Sequence, residues 1–292
     1  MKFDKTFIAI RERGILDILD LALHVATDHF RALACLLLIG VAPWLLFDFW
    51  LIGHLIHLEE MSGVYFWGMF LLVANQAQIG TTFMTRYLGQ AMFAGKTTVA
   101  WTVRDVLKTT PYFYWIHGLW RMVIPVALLG LGLRSRDPDM VYVIVGFWIP
   151  FFVAVGILFR SLRPFVSEVL LLERTPISKK SNQVHFAKRS SSLHGASSSE
   201  LFGRFVSVGF FMIPLGFACY AMFVSIDSVL NLQSNSEFSL HGYYWVVALW
   251  IIAGYAAIVR FLSYIDIRIR QEGWAVELRI RAEGQTLVGS ND

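Results

Sequence analysis

Six long apolar runs, each with few or no charged residues, occupy most of this chain. A backbone crossing hydrocarbon must pair its own N–H and C=O groups, and only helices or closed barrels manage that. Barrel strands are about ten residues long and alternate apolar with polar. These runs are longer and continuously apolar, which predicts an all-α fold. A bilayer core about 30 Å thick needs about 20 apolar residues per helical crossing. Spans are predicted near Ala32–Ile56, Val64–Met84, Tyr112–Leu133, Met140–Phe159, Phe202–Leu230 and Gly242–Phe261. Only 16% of the 292 residues are charged, against about 25% in soluble domains. The mean hydropathy of +0.57 argues equally against a soluble core.

Short cytoplasmic loops carry excess Lys and Arg. Lys2, Lys5, Arg11, Arg13 and Arg31 precede the first run; Arg86, Lys96, Arg104 and Lys108 fill the second gap. Arg163, Arg174, Lys179, Lys180, Lys188 and Arg189 fill the fourth, and Arg268, Arg270, Arg279 and Arg281 lie in the tail. The alternate gaps are poor in both, and Arg134 and Arg136 sit beside Asp137 and Asp139. Six crossings with both termini in the cytoplasm follow, in a bacterial inner membrane. No cleavable signal is read, because the first run lacks a small-residue cleavage site. The net charge of +4 is spread as a topology signal, so no nucleic acid is implied. Cys35 and Cys219 both fall inside predicted spans, which argues against a disulfide.

Ile15, Leu19, Ala22, Ala26 and Phe30 recur at helical spacing, with Asp17, Asp20, His24, Asp28 and Arg31 on the other side. An interfacial amphipathic helix is predicted there. Residues 1–31 form this segment, 32–267 the six-helix domain with its 162–201 cytoplasmic loop, and 268–292 a charged tail. Thr98–Thr110 reads as a further helix ending at Pro111. Arg163–Glu173 reads as a short membrane-surface helix, and the serines at 190–192 and 197–199 as a flexible linker. The linker's basic residues are suited to anionic lipid. From Ile265 to Arg270 apolar and charged residues alternate, compatible with a strand or with a continuation of the sixth helix.

Ionisable groups at membrane depth are costly and usually functional. Asp48 in the first span, Asn75, Gln76 and Gln78 in the second, and His117 and Arg121 in the third form the candidate intramembrane polar site. Asp48 with Arg121 is the natural ion pair. The same groups also serve as structural glue between helices, at about 0.6–2 kcal/mol per contact. Arg160 and Arg260 fall at helix ends, where they can snorkel. A second cluster, Asp266, Arg268, Arg270 and Glu272, lies at the depth of Asp17 and Asp20, which predicts a clamp between the two ends of the chain. His54 and His57 share a helix face, but zinc needs about four ligands, or three if catalytic. No metal site or cofactor is assigned.

Three stretches carry a family likeness. They are Ile15-Leu-Asp-Ile-Leu-Asp-Leu-Ala with His29-Phe30, Arg163-Pro-Phe-Val-Ser-Glu-Val-Leu-Leu-Leu-Glu-Arg-Thr-Pro176, and Tyr264-Ile-Asp-Ile-Arg-Ile-Arg-Gln-Glu-Gly273. In these the chain resembles bacterial integral membrane proteins grouped with the membrane domain of glycerophosphoryl diester phosphodiesterases. The layout is similar over nearly the whole chain. It departs at Ala275, where such proteins often carry an acidic residue. The family's phosphodiesterase chemistry belongs to a separate soluble barrel with metal-binding carboxylates and catalytic histidines. No matching acidic and His motif exists here, so the resemblance implies a membrane bundle and no hydrolase.

The leading expectation is therefore a non-enzymatic scaffold or accessory protein engaging lipid and other membrane proteins at the cytoplasmic face. A transporter or channel component built on the polar site is the alternative. A lipid-headgroup enzyme built on His54, His57, Glu59 and Glu60 is the third.

Overall fold

The computed structural model describes residues 14–53, 62–94, 97–108, 143–148, 150–152, 154–155, 163–173, 186–195, 198–231 and 238–271. Every regular element among them is helical. They are α1 (Ile15–Asp28), α2 (Phe30–Ile52), α3 (Ser62–Gly80), α4 (Thr82–Ala94), residues 99–108 as α5, a π-helical turn at Ile144–Trp148, α6 (Val166–Leu172), α7 (Phe186–Gly195), α8 (Ser198–Asn231) and α9 (Phe238–Gln271).

Three stretches are long and apolar enough to cross a membrane: Phe30–Ile52, Ser199–Leu230 and His241–Arg270. They correspond to the first, fifth and sixth predicted spans. The chain is thus a helical membrane protein by length and composition. The second apolar run forms α3 and α4, which meet at Thr81. There the hydroxyls of Thr81, Thr82 and Thr85 donate to the carbonyls of Ala77, Gln78 and Thr81. Such back-bonding bends a helix, while the backbone ladder itself continues through the joint. The third predicted span lies outside the described residues, as does much of the fourth.

Helix α9 is the axis of the bundle. It packs against α8, α3, α1 and α4. One apolar cluster gathers Ile18 and Ala22 of α1, Met84 and Leu88 of α4, Phe165 and Val169 around α6, and Phe261, Leu262 and Ile265 of α9. A second joins Val41 and Ile52 of α2, Tyr65, Met69 and Leu72 of α3, and Val246 and Trp250 of α9. Hydrocarbon gives apolar helices no drive to associate, so close packing and polar contacts hold such a bundle. Gly40 shows this: a Cβ there would collide with the Gly80 carbonyl oxygen.

Helix α1 buries a narrower stripe than its periodicity predicts. Ile18 and Ala22 are buried, and Leu19, Val25 and Ala26 pack beside them. Phe30 is exposed, because α1 ends at His29 and α2 starts a new direction there. The acidic side, Asp17, Asp20 and Asp28, is exposed as expected. Tyr255 of α9 donates its hydroxyl to the Leu19 carbonyl at 2.8 Å, fixing α1 along the stem of the last helix.

Two expectations for the fourth gap are corrected. The 163–173 segment is not a surface helix. Residues from Pro164 through Leu171 are buried between α4, α7 and α9. The serines do not form a linker either. Ser190, Ser191 and Ser192 are helical, Ser190 is buried, and Ser198 begins α8. Leu193 on the same helix enters the main core, and that burial overrides the polar composition. At the end of α9 the alternation resolves as helix through Gln271.

Gly40→Leu should lower the thermal unfolding midpoint of the detergent-purified protein, since overpacking costs about 1–3 kcal/mol. An equal substitution at Gly209, which has open space around it, should leave the midpoint nearly unchanged.

Candidate functional site

Two polar centres emerge, one within the bundle and one at its charged end. In the first, Asp48 of α2 meets Gln76 of α3. The Gln76 Nε2 donates to Asp48 Oδ1 at 2.5 Å, and both side chains are 0% exposed. Oδ2 of Asp48 and Oε1 of Gln76 are buried without a hydrogen-bond partner. Gln78 is also buried. Asn75 turns back on its own helix and donates to the Leu71 carbonyl at 2.8 Å, so it is not part of the contact. His117 and Arg121 lie outside the described residues, as do His54 and His57. Among the described residues no group of three His, Cys, Asp or Glu is placed to hold a metal.

The second centre is larger, and its interior was not foreseen. The buried α6 carries Glu168, 0% exposed, onto Arg260 of α9, with Nε and Oε1 at 2.5 Å. Arg260 is therefore an internal partner rather than a snorkelling one. Glu173, just past α6, takes two hydrogen bonds from Arg189 of α7, at 2.6 and 2.9 Å. The Tyr264 hydroxyl donates to the same carboxylate at 2.7 Å, and Arg268 stands 3.6 Å away. Burial raises the Glu173 pKa, but the Arg189 fork, Tyr264 and Arg268 outweigh it and hold the carboxyl below its ordinary value.

Beside this lies a square of alternating charge between α8 and α9. Arg204 contacts Glu200 and Asp266, both at 2.9 Å. Arg270 contacts Asp266 at 3.0 Å and Glu200 at 3.1 Å. On the far side Arg86 of α4 pairs with Asp105 of α5 at 2.7 Å and donates to the Leu171 carbonyl at 2.9 Å. Gln90 then links Asp105 to the Thr102 hydroxyl. The α6 segment and α8 are tied directly to α9 in this way, and α7 and α4 are tied to the α6 segment.

The clamp expected between the chain's two ends takes a different form. Arg268 and Arg270 do sit at the foot of the last helix, and Asp266 is buried there. Their partners named above come from α8 and the α6 segment. Asp17 and Asp20 stand on the exposed side of α1, where Asp20 faces His24 at 3.7 Å. No ion pair joins either aspartate to the α9 arginines among the described residues. The reason is geometric: α1 must turn its apolar stripe toward α9, which rotates its carboxylates away. Glu272 lies outside the described residues.

His194 closes the α6–α7 joint. Its Nδ1–H donates to the Ser190 carbonyl at 2.7 Å, and its Nε2 accepts from the Phe165 N–H at 3.3 Å. The ring stacks on Phe165 at 5.8 Å between centroids. Burial holds its pKa below the ordinary value and Arg163 adds to that, against the opposing pull of the Ser190 carbonyl. Only the neutral ring can both donate and accept here.

Comparison with protein-family models, with curated proteins and with solved structures finds no match for this chain.

Removing one member of a buried ion pair costs about 3–5 kcal/mol, whereas an apolar pair of similar volume is often neutral. Arg260→Met alone should therefore lower the thermal midpoint strongly, and Arg260→Met with Glu168→Leu should recover most of the loss. A second expectation concerns acid. A His with a depressed folded pKa contributes stability that is fully present above its unfolded value near 6.5 and lost as pH falls. Glu173 contributes in the same sense below its unfolded value near 4.5. Unfolding followed against pH should show stability declining from about pH 6.5 downward, and His194→Gln should flatten the upper part of that decline.

Proposed function

We propose that this chain is a multi-pass protein of the bacterial inner membrane that crosses six times with both termini in the cytoplasm. Its role is that of a non-enzymatic scaffold or accessory protein. The family resemblance to membrane domains of glycerophosphoryl diester phosphodiesterases belongs to the same proposal. Helix α1 lies along the cytoplasmic interface, its exposed carboxylates in water and its apolar stripe against α9.

The observation that carries the scaffold role is the ion-paired end of the bundle. Arg86, Arg189, Arg204, Arg260 and Arg270 are each matched to an acidic partner inside the protein. That turns the described helix ends on this side into an ion-paired cap. Arg104, Lys108 and Lys188 remain exposed on its surface. Exposed basic groups near a membrane attract anionic lipid at about 1 kcal/mol each, and partner proteins bind best to a surface that is already ordered. A transport role is the second reading, favoured by the buried contact between Asp48 and Gln76 in helices of the bundle interior.

Photo-crosslinking residues placed at 104, 108 and 188 should capture a reproducible set of membrane proteins in living cells. The same group at Trp50 or Trp67, toward the opposite end, should not. Loosening the cap with Arg260→Gln should abolish the adducts while the protein remains inserted. Equal capture from both ends, or adducts indifferent to the cap, would overturn the scaffold role.

A further inference from the structure

Asp48 sits in α2, one of the three helices long and apolar enough to cross a membrane. It is fully buried, and one amide N–H is the only hydrogen-bond donor that reaches it among the described residues. An ionised carboxylate in such a place is expensive; a buried acid without a counter-charge usually neutralises instead. The surroundings offer no counter-charge among the described residues. Tyr65 of α3 lies near Asp48, and it already donates its hydroxyl to the Gly242 carbonyl.

The orphaned atoms identify what is missing. Asp48 Oδ2 and Gln76 Oε1 both accept, both are buried, and neither has a donor. A side-chain amide and a carboxyl group that already share one hydrogen bond can close a second one between their remaining oxygens once a proton is present. One proton on Oδ2 removes the charge and supplies the donor that Oε1 lacks. It satisfies two buried acceptors in a single step, where leaving either unpaired is costly. A metal cation does not fit equally well. Oxygen-liking divalent ions take about six or more ligands, and this contact offers two unpaired oxygens among the described residues.

We propose that Asp48 and Gln76 form a proton-binding site, with the Asp48 carboxyl protonated on Oδ2 and closed into a two-bond ring with the Gln76 amide. The inference is independent of the scaffold role, and its test does not involve the cap. The proton comes from water as the helices assemble, and no other bond is made or broken. Asparagine is the natural mimic of the ring's acid partner, since its amide has the same shape and both a donor and an acceptor edge.

Infrared difference spectroscopy on the full-length protein at neutral pH, with ¹³C-labelled aspartate, gives the direct reading. The wild-type protein should show a hydrogen-bonded protonated-carboxyl band that Asp48→Asn lacks. Asp48→Asn should also keep its thermal midpoint within about 2–4 °C, the scale of a small stability change in a chain of this size. Asp48→Ala, which leaves the whole Gln76 amide unpaired, should fall well below that. A difference confined to ionised-carboxylate bands would overturn the proposal. So would an Asp48→Asn variant that fails to fold or loses as much as Asp48→Ala.

Discussion

Arg260 meets Glu168 at the point where α9 leaves its apolar stretch and begins its charged turns. This contact ties the buried α6 segment to α9. Glu168 belongs to a segment buried on nearly all sides, which enters the protein on its apolar residues Phe165 and Val169 and brings the carboxylate in with them. Once it is there, Glu173 is carried to Arg189 and Tyr264, and the Leu171 carbonyl to Arg86. Buried pairs add little net stability compared with apolar replacements, so their contribution is to choose one arrangement over others. An apolar helix in an apolar solvent can slide or rotate cheaply. A guanidinium seated on a buried carboxylate cannot.

The environment was legible from the chain because hydrocarbon imposes a length and a charge rule that leave marks at every position. The three stretches long enough to cross fall where the first, fifth and sixth runs predict. Asp48 and Gln76 were legible as members of one polar group, but the partner expected for Asp48 was Arg121, which lies outside the described residues. What periodicity did not reveal is the cap. Glu168 and Arg260 are 92 residues apart, and nothing local marks either as the other's partner. Arg260 reads as a snorkelling residue because its position at a helix end allows that equally well. The serines around 190 read as a linker for a related reason. Their composition is that of a tether, and the burial of the neighbouring Leu193 and His194 against the core holds residues 190–192 helical.

The two centres differ in kind. The charged end matches cations to anions and is open to water at its rim. The interior centre matches a carboxyl to an amide and holds no cation among the described residues. They are joined by the α3–α4 pair, which carries Gln76 on one side of the Thr81 bend and Arg86 and Gln90 on the other. The bend retains its backbone ladder, so it is a fixed elbow rather than a break.

The position of α9 at the far end of the described chain has a consequence for biosynthesis. At about 5–20 residues per second, the 92 residues from Glu168 to Arg260 take about 5–20 s to emerge. For that interval Glu168 has no guanidinium to meet, and Arg204 has no Asp266. A lone buried carboxylate is costly, so the arrangement seen around the α6 segment is complete only once Arg260 is in place. Among the described residues the bundle is therefore keyed shut by α9, and a ribosome stalled before that helix would leave the earlier ones unlatched.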